Sequence, residues 1–179
     1  MTLTWYGHSC FSLTFANGVT VVTDPFDDTV GYSLCRARAD VVLRTHDHFD
    51  HNYVQSLGGD PLLVADSAPR AVNGLKIHGL DCFHDDAQGA KRGDNLIRIV
   101  SGGGFRVAHL GDIGHMLYDS QLKVLHGVDA LLIPVGGFYT IDAATAKALV
   151  DRIEPVVTFP MHYRGEGFGL EPIGTLSEY

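Results

Sequence analysis

Short apolar segments, each followed by glycine or polar residues, recur along the whole chain and constrain its fold more than any other feature. Segments this short are typical of β-strands, because amphipathic helices require longer periodic stretches. Asn17-Gly18 lies between two of them and is a strong hairpin-turn signal. The pattern predicts strands over residues 3–6, 10–15, 19–23, 41–43, 61–65, 75–80, 95–100, 105–110, 130–135 and 156–159.

Helical periodicity is confined to fewer stretches. Asp142 is a candidate N-cap for a helix over residues 143–153, in which apolar residues share one face. Shorter helices are predicted over residues 119–126 and 52–57. Many strands with interspersed helices, and no regular βαβ repeat, indicate an α+β or layered fold.

Composition limits the function classes. The 179 residues, 45% of them hydrophobic, suffice for one core, so residues 1–179 are predicted to form a single domain. The net charge of −8 argues against nucleic-acid binding and against docking on anionic membranes. No signal peptide or spanning apolar stretch is recognisable. The widely spaced Cys10, Cys35 and Cys82 do not suggest a disulfide framework, so a reduced, cytoplasmic protein is expected.

The most informative segment is His46-Asp47-His48-Phe49-Asp50-His51, which directly follows an apolar strand. Imidazole nitrogen and carboxylate oxygen are the ligands that zinc and similar ions take. In an extended stretch His46 and His48 point to one side, so both can reach one ion. A helix starting at Asp50 would turn Asp50 and His51 toward a second ion. The alternative is a solvated polar turn without metal.

Three further candidates each follow an apolar segment: His84, Asp112 and His162. Side chains at strand ends can be delivered to one edge of a sheet, where functional loops usually lie. The sequence therefore predicts that these residues meet the His46–His51 segment.

These motifs, in this order, resemble the His-x-His-x-Asp-His signature and later motifs of metallo-β-lactamase-fold hydrolases. The resemblance implies an αββα sandwich, in which two β-sheets are flanked by helices. It implies that Asp24 supports the metal loop without binding metal and that Asp112 bridges two ions. The implied ligands are His46, His48 and His84 for the first ion, and Asp50, His51 and His162 for the second.

Further motifs narrow the resemblance to compact hydrolases related to L-ascorbate 6-phosphate lactonase. They are Trp5-Tyr6-Gly7-His8-Ser9, Phe83-His84-Asp85, Arg92-Gly93-Asp94-Asn95, Gly111-Asp112-Ile113-Gly114-His115 and Pro134-Val135-Gly136-Gly137. His48 replaces the glutamate of the family's diiron redox branch, which favours hydrolysis. Asp112 stands where enzymes that hydrolyse β-lactams have cysteine.

Four residues near these motifs admit two interpretations each. His8 and His115 either line the pocket as proton donors or substrate contacts, or hydrogen-bond to metal ligands. Tyr139 either offers its hydroxyl to a carbonyl or phosphoryl oxygen or packs in a tight turn. Arg92 either meets an anionic substrate or belongs to a turn.

The resemblance implies an enzyme in which a hydroxide bridging two divalent ions attacks a small ester, lactone or phosphoester. Asp50 and Asp112 are the candidate catalytic residues that move the proton. Zinc is the expected ion, with manganese or iron as alternatives, and no organic cofactor is expected. Competing hypotheses are a phosphodiesterase or nuclease acting on nucleotides, a non-catalytic metal-binding protein and an iron redox enzyme. The expected partner is a small molecule, without nucleic acid or membrane, and homo-oligomerisation stays open.

Overall fold

The apolar segments form two mixed β-sheets in the computed structural model, which describes residues 1–179. The first sheet has the order β1-β2-β3-β4-β5 and the second the order β11-β10-β9-β8-β7-β6. The first sheet contains β1 (Thr2–Gly7), β2 (Cys10–Thr14), β3 (Thr20–Thr23), β4 (Val41–Leu43) and β5 (Leu62–Val64). The second contains β6 (Arg70–Val72), β7 (Leu75–Phe83), β8 (Asp94–Gly102), β9 (Phe105–His109), β10 (Ala130–Pro134) and β11 (Val157–Met161).

Three apolar clusters hold the layers together. The central one joins inward-facing residues of both sheets, for example Leu13 and Val41 with Val100 and Leu132. The second covers the outer face of the second sheet with helices α1 (Asp119–Leu125) and α2 (Ala143–Ile153). The third covers the outer face of the first sheet. This third layer is made of loops and one-turn 3-10 helices at Asp28–Val30 and Val54–Ser56, so the helical flank is unequal on the two sides.

Helix α2 has the predicted boundaries because both of its ends are encoded locally. The Asp142 carboxylate accepts a hydrogen bond from the Thr145 backbone N–H at 2.8 Å and caps the first turn. Ala146, Leu149 and Ile153 are fully buried against the second sheet. The helix ends at Glu154, whose φ of 53° is left-handed. Neither α-helix combines the length and hydropathy needed to cross a membrane.

One local prediction was wrong, and one strand was not predicted. Residues 52–57 contain only a single 3-10 turn, Val54–Ser56, instead of the predicted α-helix. Strand β6 was not predicted, although Asn73-Gly74 links it to β7 and both residues have positive φ, 49° and 82°. That combination is typical of a two-residue hairpin turn, so the signal was present in the sequence.

The topology places the ends of several strands at one rim of the sandwich. Strands β3 and β4 are parallel, as are β9, β10 and β11. Strands β7 and β9 both pair antiparallel with β8, so they run in the same direction. The segments that leave these strands therefore gather at a common edge of the sandwich.

Candidate metal centre

The rim brings together all seven residues that the sequence analysis proposed as ligands. His84 follows β7, Asp112 lies three residues after β9, and His162 follows β11. The His46–His51 segment follows β4 by two residues. Of the seven, only His48 is more than marginally exposed. Their ligand atoms form three overlapping clusters, in which one joins Asp50, His51 and His162 with His8, one joins His46, His48 and His84, and one joins His46, His51 and Asp112.

The inner group consists of Asp50, His51 and His162 and is almost completely buried. His51 Nε2 lies 3.6 Å from Asp50 Oδ2 and 3.2 Å from Asp112 Oδ1. His162 Nε2 lies 3.0 Å from Asp112 Oδ2. Ligand atoms about 2.0–2.1 Å from one tetrahedral zinc ion are separated by about 3.4 Å, so these spacings suit a shared cation.

The outer group consists of His46, His48 and His84, whose ligand atoms lie within 4.8 Å of one another. His84 Nε2 is 3.3 Å and His46 Nε2 is 4.0 Å from Asp112 Oδ2. Asp112 thus contacts both groups, as a bridging carboxylate must.

The predicted helix at Asp50 is absent. The chain instead makes a turn in which the His51 backbone N–H donates to the His48 carbonyl at 3.0 Å. The turn places the centroid of the His51 ring 4.2 Å from that of the His46 ring, and the ligand atoms of His46, His51 and Asp112 lie within 4.8 Å of one another. The division of the ligands between two ions stays a prediction.

Asp24 supports this segment from beneath. Its carboxylate accepts hydrogen bonds from the Thr45 backbone N–H at 2.8 Å, from the Thr45 hydroxyl at 2.6 Å and from His51 Nδ1 at 2.9 Å. Because the Thr45 hydroxyl proton goes to Asp24, its oxygen accepts from His46 Nδ1, 2.9 Å away. Both imidazoles therefore carry their proton on Nδ1 and present the Nε2 lone pair to the centre.

Several buried polar atoms at the centre have no hydrogen-bond partner, among them His46 Nε2, His51 Nε2 and Asp112 Oδ1. Buried polar atoms are normally satisfied, so such a cluster requires an explanation. Divalent cations at this centre would accept the lone pairs that these atoms leave free. The donor set, imidazole nitrogens and carboxylate oxygens without thiolate, fits zinc and also manganese or iron.

The pKa shifts of the buried residues also indicate that the centre needs positive charge. Burial alone would lower the pKa of His51, but the carboxylates of Asp112, Asp50 and Asp24 raise it well above its usual value. Burial likewise opposes ionisation of Asp112, yet His162 and His51 hold its pKa well below the usual range. Three buried carboxylates thus demand positive charge at this point, which a divalent cation would provide.

The structure separates the two ambiguous histidines from the cavity. His8 is fully buried in a tight turn, with φ 47°, and its Nε2 lies 3.1 Å from Asp50 Oδ2. Burial and the nearby His162 lower the pKa of His8 to about 4, although Asp50 acts in the opposite direction. His115 uses Nε2 to accept from the Phe83 backbone N–H and Nδ1 to donate to the Met116 carbonyl. His8 thus contacts a candidate ligand, whereas His115 braces the strand that delivers His84.

Two supporting residues were not singled out from the sequence. Asn95 accepts from the Asp112 backbone N–H at 3.0 Å and donates to the Leu110 carbonyl at 2.9 Å. Gly111 lies between Leu110 and Asp112 and has a φ of 56°. A Cβ at this position would lie 2.3 Å from Asn95 Oδ1. Asn95 is the last residue of the Arg92-Gly93-Asp94-Asn95 motif, which was recognised in the sequence without a role being assigned to Asn95.

The other is Asp85, directly after His84. Its buried carboxylate accepts backbone N–H groups of Ala87, Gly89, Lys91 and Arg92 at 2.7–2.9 Å. Burial opposes its ionisation, but these hydrogen bonds prevail and lower the pKa of Asp85 to about 2. Asp85 therefore fixes the whole loop between β7 and β8.

An open cavity of about 460 Å³ adjoins the cluster. Candidate ligands from both groups line it, so they are accessible to a small molecule. Its lining comprises Asp47, His48, Phe49, Asp50, His84, Arg92, Asp112, Tyr139, His162, Leu170 and Glu171. Tyr139 thus faces the cavity, and its hydroxyl makes only a long hydrogen bond, 3.4 Å, to the Glu171 carbonyl.

Comparison with known proteins gives one consistent family. A family model described as the beta-lactamase superfamily domain matches residues 2–162. A UPF0173 protein of Pyrococcus abyssi is 32% identical over 94% of this chain and 86% of its own. A UPF0173 metal-dependent hydrolase of Thermoplasma acidophilum is 26% identical over 89% and 81%. The crystal structure of a candidate zinc-dependent hydrolase of the metallo-β-lactamase superfamily from Thermotoga maritima superimposes with a TM-score of 0.78. It has 37% identity and covers 93% of this chain and 78% of that one.

Proposed function

The chain belongs to the beta-lactamase superfamily, and from that premise we propose that this metal-dependent hydrolase uses two divalent cations to cleave a small ester, lactone or phosphoester. The observation that carries the proposal is the position of Asp112. Its carboxylate lies 3.0–3.3 Å from His51, His84 and His162, which come from both groups of candidate ligands. A single-ion site would not need a carboxylate placed between two such groups.

The outer group, His46, His48 and His84, would hold one cation, and the inner group of Asp50, His51 and His162 the other. Asp112 would contribute to both. When bound, divalent cations supply Lewis acidity: they polarise a carbonyl or phosphoryl oxygen and make water a potent nucleophile near neutral pH. Zinc is the expected ion on the basis of the donor set.

The side chains contribute proton transfer and orientation. Asp50 lines the cavity while its Oδ2 contacts His8, so its carboxylate is held where it can accept a proton from the attacking water. Asp112 lines the same cavity and is the second candidate for this role. Tyr139 lines the same cavity as both carboxylates, and its hydroxyl is proposed to orient the oxygen of the bond that is cleaved.

The resemblance to lactonase-like hydrolases adds cyclic esters to the substrate class. A panel of lactone, phosphodiester and thioester substrates separates ester hydrolysis from the nuclease-like alternative. A cavity of about 460 Å³ suits a small molecule.

The decisive experiment is removal and return of metal. The purified protein is stripped with a chelator, its metal content is measured by mass spectrometry, and zinc, manganese or iron is titrated back. The proposal predicts loss of hydrolysis on stripping and recovery as about two ions per chain are restored. Full activity of metal-free protein would exclude it, and recovery complete at one ion per chain would exclude the two-ion form.

A further inference from the structure

We infer that Arg92 binds an anionic group of the substrate, so that this hydrolase prefers small esters that also carry a carboxylate or phosphate. The inference rests on the proposed function and concerns the part of the substrate that is not cleaved. It follows from the placement of one guanidinium in the wall of the cavity that adjoins the candidate ligands.

Arg92 lines the same cavity as His48 and His84 and is half-buried there. No carboxylate lies within ion-pair distance of its guanidinium, and its side chain donates no hydrogen bond within the protein. A guanidinium has five N–H donors in a planar fork, which matches two oxygens of a carboxylate or phosphate. Free donors facing a cavity are therefore available to a ligand.

Neighbouring carboxylates at the cavity rim are paired with other cations. Glu171 pairs with Arg164 at 3.4 Å, and Asp47 pairs with Arg44 at 2.7 Å. These pairs leave Arg92 as the unpaired cation of the lining. An anionic substrate group at Arg92 would complete the charge balance of the wall.

Arg92 is also held in place before any ligand arrives. Its backbone N–H donates to Asp85 Oδ2 at 2.7 Å, within the loop that Asp85 fixes. Its guanidinium carbon lies 5.5 Å from the centroid of the Tyr139 ring, a cation–π arrangement. A side chain constrained at both ends loses less conformational entropy on binding than a free surface arginine.

The other residues of the cavity wall indicate which kind of chemical group joins the anionic group of the substrate to its ester. Phe49, 50% exposed, and Leu170 give this part of the cavity an apolar surface. A short hydrocarbon segment between the anionic group and the scissile bond fits against it. The substrate class is thus a small anionic ester or lactone with an apolar linker.

The test compares two esters with the same leaving group in the metal-loaded protein: neutral 4-nitrophenyl acetate and the anionic mono-4-nitrophenyl ester of adipic acid. Arg92→Ala should raise KM for the anionic ester about tenfold to a hundredfold, because a charge-assisted bidentate contact is lost. The neutral ester should change less than about twofold. Arg92→Lys should recover part of the difference, since lysine keeps the charge without the fork.

The matched control is Lys91→Ala, which removes the adjacent positive charge from an exposed side chain that pairs with Asp86. It should leave the preference for the anionic ester unchanged. An equal effect of both variants, or an unchanged preference in Arg92→Ala, would overturn the inference while the proposed function stands.

If neither ester is cleaved, that result counts against ester hydrolysis itself. The role of Arg92 is then tested by a binding measurement. Calorimetric titration with adipate and with inorganic phosphate should show weaker binding to Arg92→Ala than to the wild-type protein. The stronger ligand identifies the anion that the site prefers. Equal affinity of the two proteins for both anions would overturn the inference independently of turnover.

Discussion

The inner and outer groups of candidate ligands differ in how firmly the protein holds them. In the inner group, His51 donates to Asp24 and Asp50 contacts His8, and all four side chains are buried. In the outer group only His46 has a hydrogen-bond partner for its second nitrogen, the Thr45 hydroxyl. His84 Nδ1 is unpartnered, as is His162 Nδ1 in the inner group, and His48 is partly exposed. Both halves line the cavity, but the inner half is more deeply buried and has more hydrogen-bonded support, so we expect it to retain its cation more firmly.

The largest effect is expected at the residue that contacts both halves. Asp112→Ala should abolish the difference between inner and outer groups by weakening metal retention at both. We expect at least about a thousandfold loss in kcat/KM, equivalent to about 4 kcal/mol of transition-state stabilisation. Kinetics and metal analysis of the dialysed protein measure it. Asp151→Ala, an exposed carboxylate of α2 paired with Lys147, is the control and should retain both properties. A variant with wild-type metal content would show that Asp112 is not shared.

The next effect distinguishes the two halves directly. His51→Ala removes an inner candidate ligand that three carboxylates surround and should reduce metal content more than His48→Ala, which removes the most exposed one. After dialysis against weak chelator, His48→Ala should keep about one ion per chain. Greater metal loss in His48→Ala than in His51→Ala would reverse the comparison.

A smaller effect is expected from the support beneath the inner group. Asp24→Asn keeps the size of the side chain but loses the charge that fixes the His51 tautomer. Changes of this kind typically reduce metal affinity 10- to 100-fold. Competition with a fluorescent zinc chelator measures it. Asp47→Asn lies in the same loop, exposed and paired with Arg44, and should leave affinity within about twofold. Similar results for both variants would mean that Asp24 acts only on folding of the loop.

The smallest effect is expected at His8. His8→Asn introduces a residue that also tolerates positive φ, but its shorter side chain extends less far toward Asp50. Metal affinity of the inner group should fall about tenfold, less than in Asp24→Asn, because only one contact is lost. The same chelator competition tests this order. A loss larger than that of Asp24→Asn would indicate that His8 itself binds the cation.

Much of this centre could be predicted from local sequence. The His46–His51 spacing and the positions of His84, Asp112 and His162 after apolar segments anticipated which side chains meet. Helix α2 was predicted with its observed ends because its cap and its apolar face are local signals. Such features depend on residues within a few positions of one another.

The remainder depends on contacts between distant segments. His8 meets Asp50 across 42 positions of sequence, and Asn95 meets Asp112 across 17. The absence of a helix at Asp50 also follows from tertiary contacts, since Asp24 fixes Thr45 and His51 in a turn. No local periodicity encodes these pairs, so the hydrogen-bonded support of the centre becomes visible only in three dimensions.

The central claim is that two cations share Asp112. It is tested most directly by a crystal structure of the zinc-loaded protein with anomalous diffraction measured on both sides of the zinc edge. We predict two anomalous peaks, one beside His46, His48 and His84 and one beside Asp50, His51 and His162, with the Asp112 carboxylate between them. A single peak, or peaks that do not contact Asp112, would contradict the account.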